Sequence, residues 1–195
     1  MKYKIGLIPA VIEKYKYNHI CVDLRLINFI KECFPNSNIC ILKDTLENGF
    51  DKIISSGGND LKQLSKEKRN IMRHKLEDYY LRLSIKKKIK FYGICFGAQF
   101  IAKKFGCRLI KDSRHVSKNH KIKHYKNNKT YLVNSYHNFK IERFSNNKFK
   151  AIFFSEDGSI EAFRHKNLKI AGIMWHPERF RKIRKFDLNF VREII

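Results

Sequence analysis

A cysteine with a glycine two residues away on either side, Gly93-Ile94-Cys95-Phe96-Gly97, is the stretch of this chain best suited to chemistry. The apolar run Lys90 to Ile94 leads into Cys95, and a helical pattern follows it. That is the arrangement of a nucleophile elbow, with cysteine where the G-x-S-x-G pattern carries serine. Such a turn strains the backbone at its nucleophile, so the neighbours must be small, and Gly93 and Gly97 meet that need. A thiol there sits at a helix N-terminus, where the dipole and free N–H groups favour thiolate. The N–H of Phe96 points toward a developing oxyanion. The competing reading of the pentapeptide is a buried structural cysteine beside two turn glycines.

A thiolate that attacks a carbonyl needs a general base or acid and a group that orients it. Of the eight histidines, His19, His74, His115, His120, His124 and His165 stand in polar or basic surroundings and are expected on the solvated surface. His176 differs, because it ends the apolar run Ile170 to Trp175 and is followed by Pro177-Glu178. In extended chain, residues two apart point the same way. Glu178 can then hold one imidazole nitrogen of His176 and leave the other for Cys95, with Pro177 fixing the backbone between them. Open α/β sheets bind ligands at the C-terminal ends of their strands, which is where this segment lies. Ser56-Gly57-Gly58-Asn59-Asp60 also follows a strand pattern. It is either a flexible turn or, through an N–H near Gly58, the second half of an oxyanion hole shared with Phe96.

Residues this far apart in sequence meet only if a sheet gathers them. Residues 3 to 8 read as an apolar strand ended by Pro9, and Val22, Leu24, Leu26, Ile27, Ile30 and Phe34 recur at helical spacing over 22 to 34. Pro35 to Asn38 is a turn, Ile39 to Leu42 and Asp51 to Ser55 are short strands, and 67 to 86 is a charged amphipathic helix. The elbow strand and helix follow, to about Lys104. This alternation predicts a doubly wound, flavodoxin-like α/β fold with a mostly parallel central sheet and flanking helices. After Gly106 the runs at Leu109-Ile110, Ile122, Tyr131 to Val133, Ala151 to Phe154 and Ile170 to Trp175 predict a small antiparallel addition and a return strand. Lys118 to Lys129 is a surface loop or edge hairpin, and 181 to 195 is a final helix. No repeat or linker divides the chain, so 1–195 is expected to be a single domain.

The 195 residues are 43% hydrophobic, enough to build a core. Lysine and arginine interrupt every apolar run well short of a membrane span, and the first residues read as a strand rather than a signal peptide. The five cysteines, at 21, 33, 40, 95 and 107, are odd in number and lack C-x-x-C spacing. A disulfide scaffold, a zinc site and any other metal or cofactor are therefore not expected, and a cytoplasmic location is. The net charge of +24 is the most unusual global feature. A coding bias toward Lys, Asn, Ile and Phe would also favour Glu, yet Asp and Glu number 18 against 42 Lys and Arg. Without a helix-turn-helix, zinc-finger or RNP pattern, a specific nucleic-acid partner is not expected. A phosphorylated small-molecule substrate makes better use of the charge.

Four segments, in this order, resemble the class I glutamine amidotransferases, and within them the branch that includes the γ-glutamyl hydrolases. Ser56-Gly57-Gly58-Asn59-Asp60 is similar to the oxyanion strand-turn, commonly P-G-G-x-D. Gly93-Ile94-Cys95-Phe96-Gly97-Ala98-Gln99 is similar to G-[I/V]-C-x-G-x-Q, Val133-Asn134-Ser135-Tyr136-His137 to V-N-S-x-H, and Trp175-His176-Pro177-Glu178 to W-H-P-E. The resemblance implies hydrolysis of a γ-glutamyl amide through a thioester on Cys95, with His176 and Glu178 completing a triad. It implies an oxyanion hole at Gly57, Gly58 and Phe96, a glutamyl site supported by Gln99, and Asn134, Ser135 and His137 at or near the rim. Asp157 to Ala162 resembles a strand of the branch whose glutamate, here Glu161, approaches the site. Ile173-Met174 stands where V-Q is usual and Ser56 where proline is common, which alters the walls on the acceptor side.

A stand-alone hydrolase of a phosphorylated γ-glutamyl conjugate is favoured by V-N-S-x-H and by the lack of a synthase region in these residues. Arg114, Lys118 and Lys121 are candidates to hold the phosphate. The alternatives are a glutaminase subunit serving a separate amidotransferase synthase partner, a γ-glutamyl-polyamine hydrolase, and a basic binding protein that kept the fold.

Overall fold

Strands covered by helices on both faces need apolar side chains on both, and five such strands form the centre of this protein. The computed structural model describes residues 3–59, 67–112, 116–144 and 146–194. In chain order the elements are β1 Lys4–Ile8, β2 Ala10–Lys14, β3 Tyr17–Cys21, α1 Leu24–Cys33, β4 Asn38–Ile41, β5 Lys52–Ser55, α2 Lys68–Lys87, β6 Lys90–Ile94 and α3 Phe96–Lys104. There follow β7 Arg108–Lys111, β8 Lys118–His124, β9 Thr130–Ser135, β10 Phe139–Arg143, β11 Phe149–Ser155, β12 Ile160–His165, β13 Ile170–Ile173, a 3₁₀ turn Pro177–Arg179 and α4 Lys185–Ile194.

The parallel strands lie in the order β4-β1-β5-β6-β13, which is the strand order of a flavodoxin-like sheet. Beyond β13 the same sheet continues antiparallel through β12, β11, β8 and β9, with β10 and β7 branching from β12. Successive residues of the central strands face opposite ways. Leu7, Ile54 and Tyr92 meet Leu26, Phe29 and Ile30 of α1 and Phe190 and Val191 of α4. Ile8, Ile53 and Phe91 meet Leu76, Tyr80 and Leu81 of α2 and Phe100 and Ile101 of α3. The sheet is thus covered on both faces, as the alternating strand and helix patterns predict. Among the described residues no helix is long and apolar enough to cross a membrane.

Several expectations are corrected. Helix α1 starts at Leu24 rather than 22, because the Asp23 carboxylate caps it by accepting the Arg25 N–H at 2.9 Å. Helix α4 starts at Lys185 rather than 181; the Arg184 guanidinium folds back 3.5 Å over the Phe180 ring and pairs with Asp187 at 2.5 Å. Of the two readings of residues 118–129, the edge hairpin is the one found: they form β8 and its turn into β9, the last strand of the sheet order. Residues 10–21, to which the sequence assigned no element, form the separate hairpin β2–β3. Its turn residues, Tyr15 and Lys16, have φ of 52° and 65°. Such turns are normally announced by Asn-Gly or Asp-Gly, and a Tyr-Lys pair gives no such signal. His74 and His165 are buried, not solvated, and His120 is largely so. His74 packs edge-on to Phe100 with ring centres 4.9 Å apart, and the His165 Nδ1 accepts the N–H groups of Asn167 and Leu168.

The C-terminal ends of β1 and β5 are gathered by one buried ion pair. Arg73 and Glu77, one turn apart on α2, are both fully inaccessible and meet at 2.7 Å. The Arg73 guanidinium also donates to the Ser55 Oγ at 3.2 Å, the Ser56 carbonyl at 2.9 Å, the Ser56 Oγ at 3.1 Å and the Pro9 carbonyl. The Ser55 hydroxyl donates to Glu77 at 2.7 Å. Removing one partner of such a pair strands the other charge, whereas removing both does not. Glu77→Gln is therefore expected to destabilise the fold by about 3–5 kcal/mol. The Arg73→Met/Glu77→Leu double variant should lose less than the sum of the two single changes, as urea denaturation of the three proteins would reveal.

Candidate active site

Cys95 leaves β6 with φ 50° and ψ −99°, a conformation that L side chains rarely adopt. Its N–H donates to the Ile173 carbonyl of β13 at 2.8 Å, and its carbonyl accepts the Gln99 N–H at 2.9 Å as the first turn of α3 closes. The glycines permit this crossing. A Cβ at Gly93 would fall on the backbone of Gly97, and one at Gly97 on the Ser55 side chain. The opening N–H groups of α3, that of Phe96 among them, lack partners within the helix.

His176 follows Trp175, which is fully buried and donates its indole N–H to Asp187 at 2.9 Å. The His176 Nδ1 and the Glu178 Oε1 are 2.6 Å apart, and both side chains are buried. This neighbourhood does not come from extended chain. Pro177–Arg179 is a 3₁₀ turn closed by the Arg179 N–H on the His176 carbonyl at 3.1 Å. Proline suits its first position because that N–H would be unpaired in any case. Burial alone would lower the pKa of His176. The charge and hydrogen bond of Cys95, together with those of Glu178, outweigh burial and raise it to about 9.

Cys95, Phe96, Gly58, Gln99, His137 and His176 line one cavity of about 310 Å³. Gly57 lies against His176, since a Cβ there would fall on the imidazole, and Glu178 stands behind the ring. Gln99 donates to the Phe139 carbonyl at 3.1 Å. Two expected substrate contacts are elsewhere. The Asn134 amide grips the His176 backbone instead, donating to its carbonyl and accepting its N–H, each at 2.8 Å. Ser135 is fully buried and does not line the cavity. Glu161 backs His137 rather than facing the cavity; its Oε1 lies 3.9 Å from the His137 Nε2 and 3.3 Å from the His120 Nε2. Lys118 and Lys121 belong to β8 and do not line the cavity, while Asp60, Arg114 and His115 fall outside the described residues. A larger cavity, of about 420 Å³ between the β8–β9 turn and α4, shares no residue with this one.

Sequence reasoning missed the wall of the site formed by Val11 and Ile12 of β2. Asn59 fastens that wall, accepting the Val11 N–H at 2.8 Å and donating to the Val11 carbonyl at 2.6 Å and to Asn70 at 3.1 Å. It also missed Arg69 and Arg179, which line the same cavity. Arg179 directly follows the W-H-P-E segment, a signal that could have been followed; Arg69 had none.

The contact of Gly57 with the imidazole is open to test. Gly57→Ala is expected to displace the His176 ring from beside Cys95 and slow alkylation of Cys95 by iodoacetamide at pH 7 by on the order of 10-fold. Peptide-resolved mass spectrometry would measure the rate at Cys95 separately from those at the other cysteines.

A family model described as glutamine amidotransferase class-I matches residues 13–190. The γ-glutamyl-CDP-amidate hydrolase of Campylobacter jejuni is 33% identical over 156 residues, covering 77% of this chain and 76% of that protein. Among solved structures, a Thermoplasma acidophilum protein described as part of a GMP synthase superposes with a TM-score of 0.72 at 19% identity, covering 98% of this chain and 92% of its own. A glutamine amidotransferase of Thermotoga maritima gives a TM-score of 0.66 at 18% identity, covering 90% and 76%. At those identities the two structures speak for the fold alone. The family match over nearly the whole length, with a relative one-third identical, makes this chain a member of the class-I glutamine amidotransferase family.

Proposed function

We propose that the protein hydrolyses the γ-glutamyl amide bond of an anionic nucleotide conjugate, such as γ-glutamyl-CDP-amidate, through a thioester on Cys95. The observation that carries this reading is the buried His176, 2.6 Å from Glu178 and lining one cavity with the strained Cys95. The Cys95 thiolate attacks the γ-carbonyl carbon, and the resulting oxyanion is received by the N–H groups of Phe96 and Gly58. His176, protonated and held by Glu178, gives its proton to the leaving nitrogen as the C–N bond breaks. The amine departs and leaves a γ-glutamyl thioester. His176, now neutral, takes a proton from water as that water attacks the thioester, which releases glutamate and restores the thiolate and the imidazolium.

The nucleotide part of the reading is supported by the substrate in the name of the Campylobacter jejuni relative and by the net charge of +24. By the same likeness the released cytidine diphosphoramidate would serve capsule modification.

The test is glutamate release from γ-glutamyl-CDP-amidate, free glutamine and γ-glutamyl polyamines. Cys95-dependent turnover is expected on the nucleotide conjugate. Turnover of glutamine alone would replace this reading with a glutaminase subunit, and turnover of polyamine conjugates alone with a catabolic hydrolase. Cys95→Ala is expected to abolish measurable release from every substrate that is cleaved.

The pH profile follows from the raised pKa of His176. The ring carries the proton needed by the leaving group below about 9 and loses it above, so kcat/KM should fall as pH rises through about 9. Glu178→Gln withdraws one of the influences that raise that pKa, and the alkaline limb should move to lower pH.

A further inference from the structure

We propose that Arg69 and Arg179 form a phosphate-binding subsite on the leaving-group side of the cleft, an inference that rests on the hydrolase reading above. Among the described residues that line the cavity, these two arginines and the imidazoles of His137 and His176 are the groups able to carry charge besides the Cys95 thiol, and no carboxylate faces it. A γ-glutamyl group brings one carboxylate and one ammonium, which together need no surplus of positive charge. Each guanidinium has one carboxylate neighbour outside the cavity, Glu67 for Arg69 and Glu178 for Arg179, yet both open onto a cavity whose described lining holds no carboxylate, and that lining favours further anionic charge on the part of the substrate that leaves. Phosphoanhydride oxygens match the planar guanidinium fork, which binds them in bidentate fashion.

Both side chains are held by what surrounds them. The Arg179 guanidinium lies 4.8 Å over the Tyr136 ring, and that ring stands edge-on to His176 with centres 5.6 Å apart. Its Nε is 3.7 Å from the Glu178 Oε1, beyond hydrogen-bonding range, so the pairing leaves its donors available. Arg69 is paired through Nε with Glu67 at 2.5 Å and lines the cavity beside Asn59. The side chains are 35% and 28% exposed, shielded enough for charge to act strongly and open enough for a ligand to reach them. Each arginine also touches the chemistry through its own element. Arg179 directly follows Glu178, and Arg69 lies one helical turn before Arg73, which grips the Ser56 backbone. The lysines of β8 are not needed for this role.

The test compares kcat/KM on γ-glutamyl-CDP-amidate with kcat/KM on γ-glutamyl-p-nitroanilide, which lacks phosphate. Arg69→Gln, Arg179→Gln and the corresponding lysine variants are measured, with thermal melting to verify folding. Each glutamine variant is expected to lower the ratio of the two values by on the order of 10- to 100-fold, the size of a lost charge-assisted contact. Lysine should restore part of the ratio. Equal losses on both substrates would overturn the proposal, because the arginines would then serve the glutamyl group or the triad.

Calorimetric titration of the Cys95→Ser protein with CDP reads the subsite without turnover. Weaker binding in the arginine variants supports it, and equal binding overturns it. Cys95-dependent hydrolysis of the nitroanilide with no CDP binding would remove both the subsite and the nucleotide substrate while leaving γ-glutamyl hydrolysis in place. CDP binding through the arginines with no substrate turned over would keep the subsite and remove the catalytic reading.

Discussion

Two opposite charges sealed away from water organise the business end of this protein. Arg73 and Glu77 are costly to bury, and the cost is offset only because nearly every guanidinium donor has a specific acceptor. Those acceptors are the last carbonyl of one strand region and the side chains and backbone at the end of another. Pro9 leads directly into the β2–β3 hairpin, Ser56 into Gly57-Gly58, and Ser55 is the surface against which Gly97 of the elbow rests. The β2–β3 wall, the Gly57-Gly58 loop and the Cys95 turn are thereby referred to a common fixed point, although each comes from a different part of the chain.

A second anchoring system sits on the other side of the cleft. Trp175 is tied to Asp187, the His176 backbone is held on both sides by Asn134, and its ring is oriented by Glu178. The imidazole has little freedom, so its protonation is decided by neighbours rather than by solvent. Burial and the two neighbours Cys95 and Glu178 act in opposite directions on it, and the neighbours prevail. Such a balance is reached only where positions are held to within a fraction of an ångström.

What the sequence disclosed was local, and what it concealed was long-range. The elbow is legible because its glycines and its cysteine lie within five residues, and His176 and Glu178 because they are two residues apart, although the 3₁₀ turn that joins them reads as extended chain. The parallel sheet is legible because strands buried on both faces are apolar throughout. Asn134 was not, since its partner lies 42 residues away and nothing near it in the chain announces the contact. His74 has Arg73 and Lys75 as neighbours and looks solvated, yet it faces Phe100 across a helix contact. The hairpin at 10–21 was hidden because Tyr15 and Lys16 occupy left-handed positions that sequence patterns reserve for Asn and Gly. Arg69 was hidden because a lone arginine in a chain this basic carries no information until the cavity it lines is known.

The β2–β3 ribbon takes no place in the central sheet, being a two-stranded sheet of its own fastened to the rest through Val11, Asn59 and contacts with α2. The wall of the cleft formed by Val11 and Ile12 is therefore built on a piece whose residues can change without disturbing a central strand. Cys95 and His176 instead stand just beyond the ends of the central strands β6 and β13, where almost any change would be felt in the core. An architecture divided in this way allows descendants of one ancestral chain to diverge in that wall while keeping the cysteine, histidine and glutamate opposite it in place.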